Sequence, residues 1–183
     1  YYIDNSPTLN IPLSKLEMSE KPPETWEDVF PRNKFSGLEA YKDAVSYMGD
    51  KGIVGLGIPL PGLGIHPESM YEYYDDHNKV LERCRKEHDA LVRKAREIIK
   101  VKPDFLFIGI SGHMISNPEP IFRELSLPTL KEVPKLCKEA GVLTQIHCCG
   151  PEYALVKISA EESDLCGINP LEIPPMGNCD LAE

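Results

Sequence analysis

The chain has 183 residues, 42% of them hydrophobic, and a formal net charge of −9. That length and hydrophobic content suit one domain with a full-sized core and exclude a disordered, linker-like or collagen-like chain. The acidic balance argues against nucleic acid and anionic membranes as partners, because phosphates repel it.

In chain order, residues 1–34 are proline-rich and carry little periodicity. Pro22, Pro23 and Pro31 break helices where they stand, so an irregular arm is expected. Ser36 reads as an N-cap with Glu39 as its capping-box partner, opening a helix that Gly49 closes. The stretch GIVGLGIP at 52–59 reads as a buried strand, followed by the loop LPGLGIHPES. From Met70 to Val101, apolar or small residues recur at helical spacing through Tyr73, His77, Val80, Leu81, Cys84, Leu91, Val92, Ala95, Ile98 and Ile99, which predicts one long helix. Tyr71, Tyr73 and Tyr74 read as helix packing, with lining of the site mouth as the alternative for Tyr71.

DFLFIGI at 104–110 is the second predicted strand, with SGHMISNPE as its exit loop. A helix interrupted at Pro128 and Pro134 follows and ends at Gly141. VLTQIH at 142–147 is a third strand, PEYALVKISAEE a short helix, and DLCGINPLE at 164–172 a fourth strand with its exit loop. NCDLAE reads as the first turn of another helix, with Asn178 or Asp180 as its cap. Strands alternating with helices predict a parallel sheet covered on both faces. Spacing alone leaves a closed eight-fold barrel and an open doubly wound sheet both standing. Two units are expected, an arm plus first helix over 1–50 and the α/β unit over 51–183.

No apolar run approaches the roughly 20 residues of a membrane span. The opening YYIDNSPTLNIP lacks the basic start and apolar stretch of a signal peptide. Six cysteines in a chain this long do not form a secreted scaffold pattern. Cys84 and Cys137 fall within helical patterns as small buried side chains. Thiols in a reducing, cytoplasmic compartment are therefore expected. The chain lacks an initiator Met and stops at a helix-like turn, which reads as a fragment of a longer protein.

Polar residues collect after the strands: His113, then His147 and Cys149, then Glu172. Parallel α/β folds build their sites at the carboxyl ends of strands. Side chains alternate along a strand, so His147 and Cys149 share a face and Cys148 turns away. One imidazole and one thiolate side by side form half of a zinc site, with Glu172 near enough to offer oxygen. The competing reading is a strand end with a satisfied histidine and buried thiols, and Cys148 and Cys166 fit that description. A vicinal disulfide between Cys148 and Cys149 is disfavoured by its strain. His113 reads equally as a substrate contact or as a loop histidine bonded to backbone. His77 and His88 read as packing or surface residues.

NPEPIFRELSLPTLKEVPKLCKEAGVLTQIHCCG resembles the uroporphyrinogen decarboxylase superfamily, with its Asn-Pro, Phe-bearing helix and strand ending in a relative of His-x-Cys-Gly. INPLEIPPMGNCDLAE looks like the next strand and loop of that family. The resemblance spans about residues 50–183. It implies a (β/α)8 TIM barrel, here a partial barrel of about four βα units. It also implies the zinc- and corrinoid-dependent methyltransferase branch, with His147, Cys149 and Glu172 as Zn2+ ligands and a fourth ligand, a distant Cys, beyond Glu183. Cys148 between the ligands departs from the pattern. The expected chemistry is methyl transfer between a corrinoid, carried on a partner protein, and a thiol acceptor or methoxylated small molecule, with His113 orienting substrate or acting as acid. The alternatives are a metal-free decarboxylase of porphyrin biosynthesis and a non-catalytic barrel that binds a corrinoid protein.

Overall fold

A computed structural model describes residues 37–109 and 111–180. The predicted arm and Ser36 lie outside the described residues, as does the Glu39 side chain that would complete the capping box. By its contacts the chain divides into Tyr1–Ala40 and Tyr41–Glu183, and the fold described is that of the second unit. The first described helix, α1 (Gly37–Met48), ends at Gly49, whose φ of 55° is a left-handed stop.

The sheet comprises β1 (Gly55–Ile58), β2 (Phe105–Gly109), β3 (Leu143–His147) and β4 (Gly167–Asn169), all parallel and ordered β1-β2-β3-β4. The intervening helices are α2 (Pro67–Asp75), α3 (His77–Lys100), α4 (His113–Ser116), α5 (Glu119–Leu125), α6 (Leu127–Ala140) and α7 (Tyr153–Glu162). Right-handed crossovers between strands laid down in sequence keep their helices on one side. The core bears this out. Its strand residues are Leu56, Ile58, Leu106, Ile108, Ile146, Cys148 and Ile168, and its helical residues come from α3, α4, α5, α6 and α7. Register aligns Ile58 with Ile108, Ile108 with Ile146, and Ile146 with Ile168, so these side chains share one face.

The opposite face carries Gly57, Phe105, Phe107, Gln145 and His147. None of these belongs to the core, and each keeps part of its surface. The expected covering of both faces is therefore corrected: among the described residues, helices pack on one. Phe122 and Leu130 are fully buried between sheet and helices, and burying a side chain of this size contributes about 1.5–3 kcal/mol.

Local sequence accounts for where the helices break. The long run from Met70 is two helices, because Asp76 leaves helical geometry and its side chain accepts from Lys79 N, capping α3. The next helical stretch breaks at Ser126 rather than at a proline. Pro128 then falls in the first turn of α6, where its missing N–H costs nothing, and Pro134 stays inside the helix. His88 joins α3 to α6 through Thr129 (Nδ1···Oγ1 2.9 Å) and Glu132. Tyr73 is half-buried, donates to Glu124 and meets the ring of the exposed Tyr74 edge-on, whereas Tyr71 is exposed.

Asn178 does not cap a helix, because Cys179 and Asp180 are not helical; a helix opened by Asp180 would lie outside the described residues. Asn178 instead accepts a hydrogen bond from Tyr153 N at the start of α7. Among the described residues, no helix is long and apolar enough to cross a membrane.

Candidate functional site

The site lies where β3 ends. His147 is the last residue of that strand and pairs with Gly109 on one side and Asn169 on the other. Gly109 makes room for it: a Cβ there would stand 3.2 Å from His147 Cβ and 2.9 Å from Phe107 Cε1. Phe107 flanks the imidazole, with ring centroids 6.1 Å apart. Two residues on, Cys149 Sγ lies 3.1 Å from His147 Nε2. Both side chains are half-buried on the helix-free face. Cys148 points into the core with no exposed surface, and burial pushes its thiol pKa up. The predicted alternation is what the strand end contains.

All six cysteines are free. Cys84 and Cys137 are buried as expected. Burial raises the Cys137 thiol to about 11, which keeps it protonated and unreactive. Cys166, read as a buried strand thiol, is instead exposed and sits just before β4. The chain has only begun to pair there: Cys166 N donates to Thr144 O, and the side chain remains outside.

Glu172 lies on the exit loop of β4, beside the exit loop of β3. Its Oε2 accepts from Gly150 N at 2.7 Å. Its own N–H donates to Glu152 Oε1 at 2.9 Å, and its carbonyl accepts from Cys179 N at 3.0 Å. Glu152 N in turn donates to Gly150 O at 2.9 Å. Gly177 is wedged into this junction. Among the described residues, no three His, Cys, Asp or Glu side chains converge into a group able to hold a metal ion. Two of the three expected ligands therefore meet, and the third is engaged with backbone.

His113 opens α4 in the exit loop of β2. Only 4% of its surface is exposed, and its ring meets Phe122 edge-on. Nε2 lies 2.8 Å from Ser126 Oγ. That hydroxyl donates to Pro61 O at 2.6 Å, so it accepts from the imidazole, and Nε2 carries the proton. Nδ1 has no partner. None of the hydrogen bonds of His113 reaches His147 or Cys149. The imidazole fastens to the Ser126 hydroxyl and not, as the loop reading had it, to backbone.

Desolvation lowers the His113 pKa from its ordinary value to about 4. The depressed value means the native state binds fewer protons than the unfolded chain between about pH 6.5 and pH 4. Its contribution to stability is complete above pH 6.5 and is lost as pH falls toward 4, amounting to about 3 kcal/mol at most. Urea titrations across this window are expected to show wild type losing stability on acidification, with a flatter profile in His113→Phe. Parallel profiles would refute the assignment.

Sequence reasoning missed Asn117 and Glu152, both fully buried. Asn117 Oδ1 accepts from Leu63 N at 2.7 Å and Nδ2 donates to Leu63 O at 3.0 Å, as a neighbouring strand would. Asn117 stands in the sequence within the exit loop SGHMISNPE, and that placement gave no hint of this pairing. No protein-family model, curated protein or solved structure matches the chain.

Proposed function

We propose that the chain is an arc of a (β/α)8 barrel and that His147 and Cys149 bind zinc for methyl transfer between a corrinoid and a thiol or methoxylated small molecule. The observation that carries this reading is the His147–Cys149 pair at the carboxyl end of β3, on the helix-free face. Four consecutive strands in sequential order support the barrel. A doubly wound sheet reverses strand order at a switch point, and a singly wound one curls toward its uncovered face.

Imidazole and thiolate are donors that zinc takes, and the pair would supply two of the three or four protein ligands of a zinc site. Zn–S and Zn–N bonds of about 2.3 and 2.1 Å at a tetrahedral angle separate two ligands by about 3.6 Å. The pair stands at 3.1 Å, so a small outward rotation of either side chain admits the ion. Zinc held there would keep a substrate thiol deprotonated or polarise a methoxy oxygen. The chain's own residues do the rest: His147 and Cys149 fix the reacting end, Gly109 lets Phe107 and His147 lie close over the strand, and the Phe107 ring forms an apolar wall beside the imidazole.

Protein purified without chelator is expected to carry about one zinc per chain by elemental analysis. His147→Ala and Cys149→Ser should each lose most of it. Zinc-free wild type sinks the proposal.

A further inference from the structure

We infer that Glu172 is a positioning residue for Cys149 and that Glu152 holds it in place; this rests on the zinc reading of His147 and Cys149. The peptide joining Cys149 to Gly150 sets the direction of the Cys149 side chain. Gly150 has a φ of 99°, which glycine adopts freely, so its own backbone preference does not confine the peptide. Something else must hold that peptide, and two contacts do so. Its carbonyl faces the Cys148 thiol at 3.8 Å, and its N–H donates to Glu172 Oε2 at 2.7 Å. The second is the shorter and is charge-assisted, so it dominates.

Glu172 can do this only if its own backbone stays put, and Glu152 secures it. Glu152 is fully buried at the start of α7, with Oε1 accepting from Glu172 N. Its backbone N–H donates to Gly150 O. The three residues thus close a ring in which two carboxylates each hold the backbone of the other loop. The ring joins the exit loops of β3 and β4 directly behind the thiol. Glu172 Oε2, engaged with Gly150, is turned to backbone rather than toward the His147–Cys149 pair. This agrees with the lack of a three-donor group among the described residues. Outer residues that orient a metal ligand typically matter by 10–100-fold in affinity.

The two roles for Glu172 separate under a conservative change. Glu172→Gln keeps an oxygen for the Gly150 N–H but is a poor zinc ligand, and Glu172→Ala removes both. Zinc affinity is measured by competition with a chromophoric chelator on the full chain. Glu172→Gln is expected within about threefold of wild type and Glu172→Ala roughly 10–100-fold weaker. If both variants fall equally, Glu172 is a ligand and the positioning role is overturned while the zinc reading stands.

The second readout needs no metal. Hydrogen exchange at the Gly150 amide in zinc-free protein should be protected in wild type and Glu172→Gln and roughly tenfold or more faster in Glu172→Ala. Equal exchange in wild type and Glu172→Ala overturns the bracket. If wild type takes up no zinc, the proposed function fails and the exchange result still decides the bracket. Glu152→Gln, which retains the acceptor for Glu172 N, should behave as wild type in both assays. Loss of Gly150 protection in Glu152→Gln would remove Glu152 from the scheme.

Discussion

Replacing Asn117 by alanine is expected to lower stability by about 3 kcal/mol, read as a fall in the urea midpoint at unchanged slope. The side chain is fully buried. It satisfies both backbone groups of Leu63, and Nδ2 also donates to His113 O at 3.1 Å. Alanine leaves the Leu63 N–H without a partner in a buried site, at a cost of about 1–3 kcal/mol, and takes the amide donor from Leu63 O, which keeps Ser116 Oγ at 3.2 Å, and from His113 O. Partial relaxation of the loop around Leu63 offsets some of that. Asn117→Asp should not rescue, because it turns a second acceptor toward the Leu63 carbonyl and buries a charge. Gly62 tests the same packing from the other side. A Cβ there would come within 2.7 Å of both Asn117 Oδ1 and His113 Cε1, so the loop fits only with glycine at that position. A stability loss under 1 kcal/mol in Asn117→Ala would mean that the loop re-pairs freely.

These contacts explain which parts of the molecule were legible in the sequence. The strands were, because DFLFIGI and VLTQIH are short apolar runs bounded by turn signals. The orientation of His147, Cys148 and Cys149 was, because alternation on a strand is geometric and owes nothing to context. Single-sided cover was not. Phe105 and Phe107 are as apolar as Leu106 and Ile108, so β2 reads as buried on both faces although helices pack only on the second pair. The break at Asp76 was hidden for a related reason. The apolar spacing runs through the capping residue, and only the cap's hydrogen bond shows where one helix stops. Glu152 was least visible of all. An acidic residue beside a helix start reads as a solvated first-turn charge, and its partner is 20 residues away. The pair that forms the candidate site was therefore readable from local geometry, whereas the groups that hold it depend on which loops the fold brings together.

Gly177 is the position where that dependence is sharpest, and Gly177→Ala is expected to weaken zinc binding roughly 10–100-fold with little change in the helical content of the protein. A Cβ at Gly177 would fall 2.3 Å from Glu172 O and 2.6 Å from Gly150 O. Both obstacles are backbone carbonyls, which cannot swing aside as a side chain can, so the exit loops of β3 and β4 must separate. Separation pulls on the two hydrogen bonds that join the loops, Gly150 N to Glu172 Oε2 and Glu172 N to Glu152 Oε1. The Cys149–Gly150 peptide then loses the contact that directs the thiol toward His147. The strands and helices beneath are untouched, because the core residues of β3 and α7 face away from this junction. The effect should therefore appear in metal affinity and in Gly150 amide exchange while far-ultraviolet circular dichroism stays near wild type. Combining Gly177→Ala with Glu172→Ala should add little to either, because both act by freeing the same peptide. Additive losses would show that the glycine acts on the site by some other route, and wild-type affinity in Gly177→Ala would show that the loops need not touch for the pair to bind zinc.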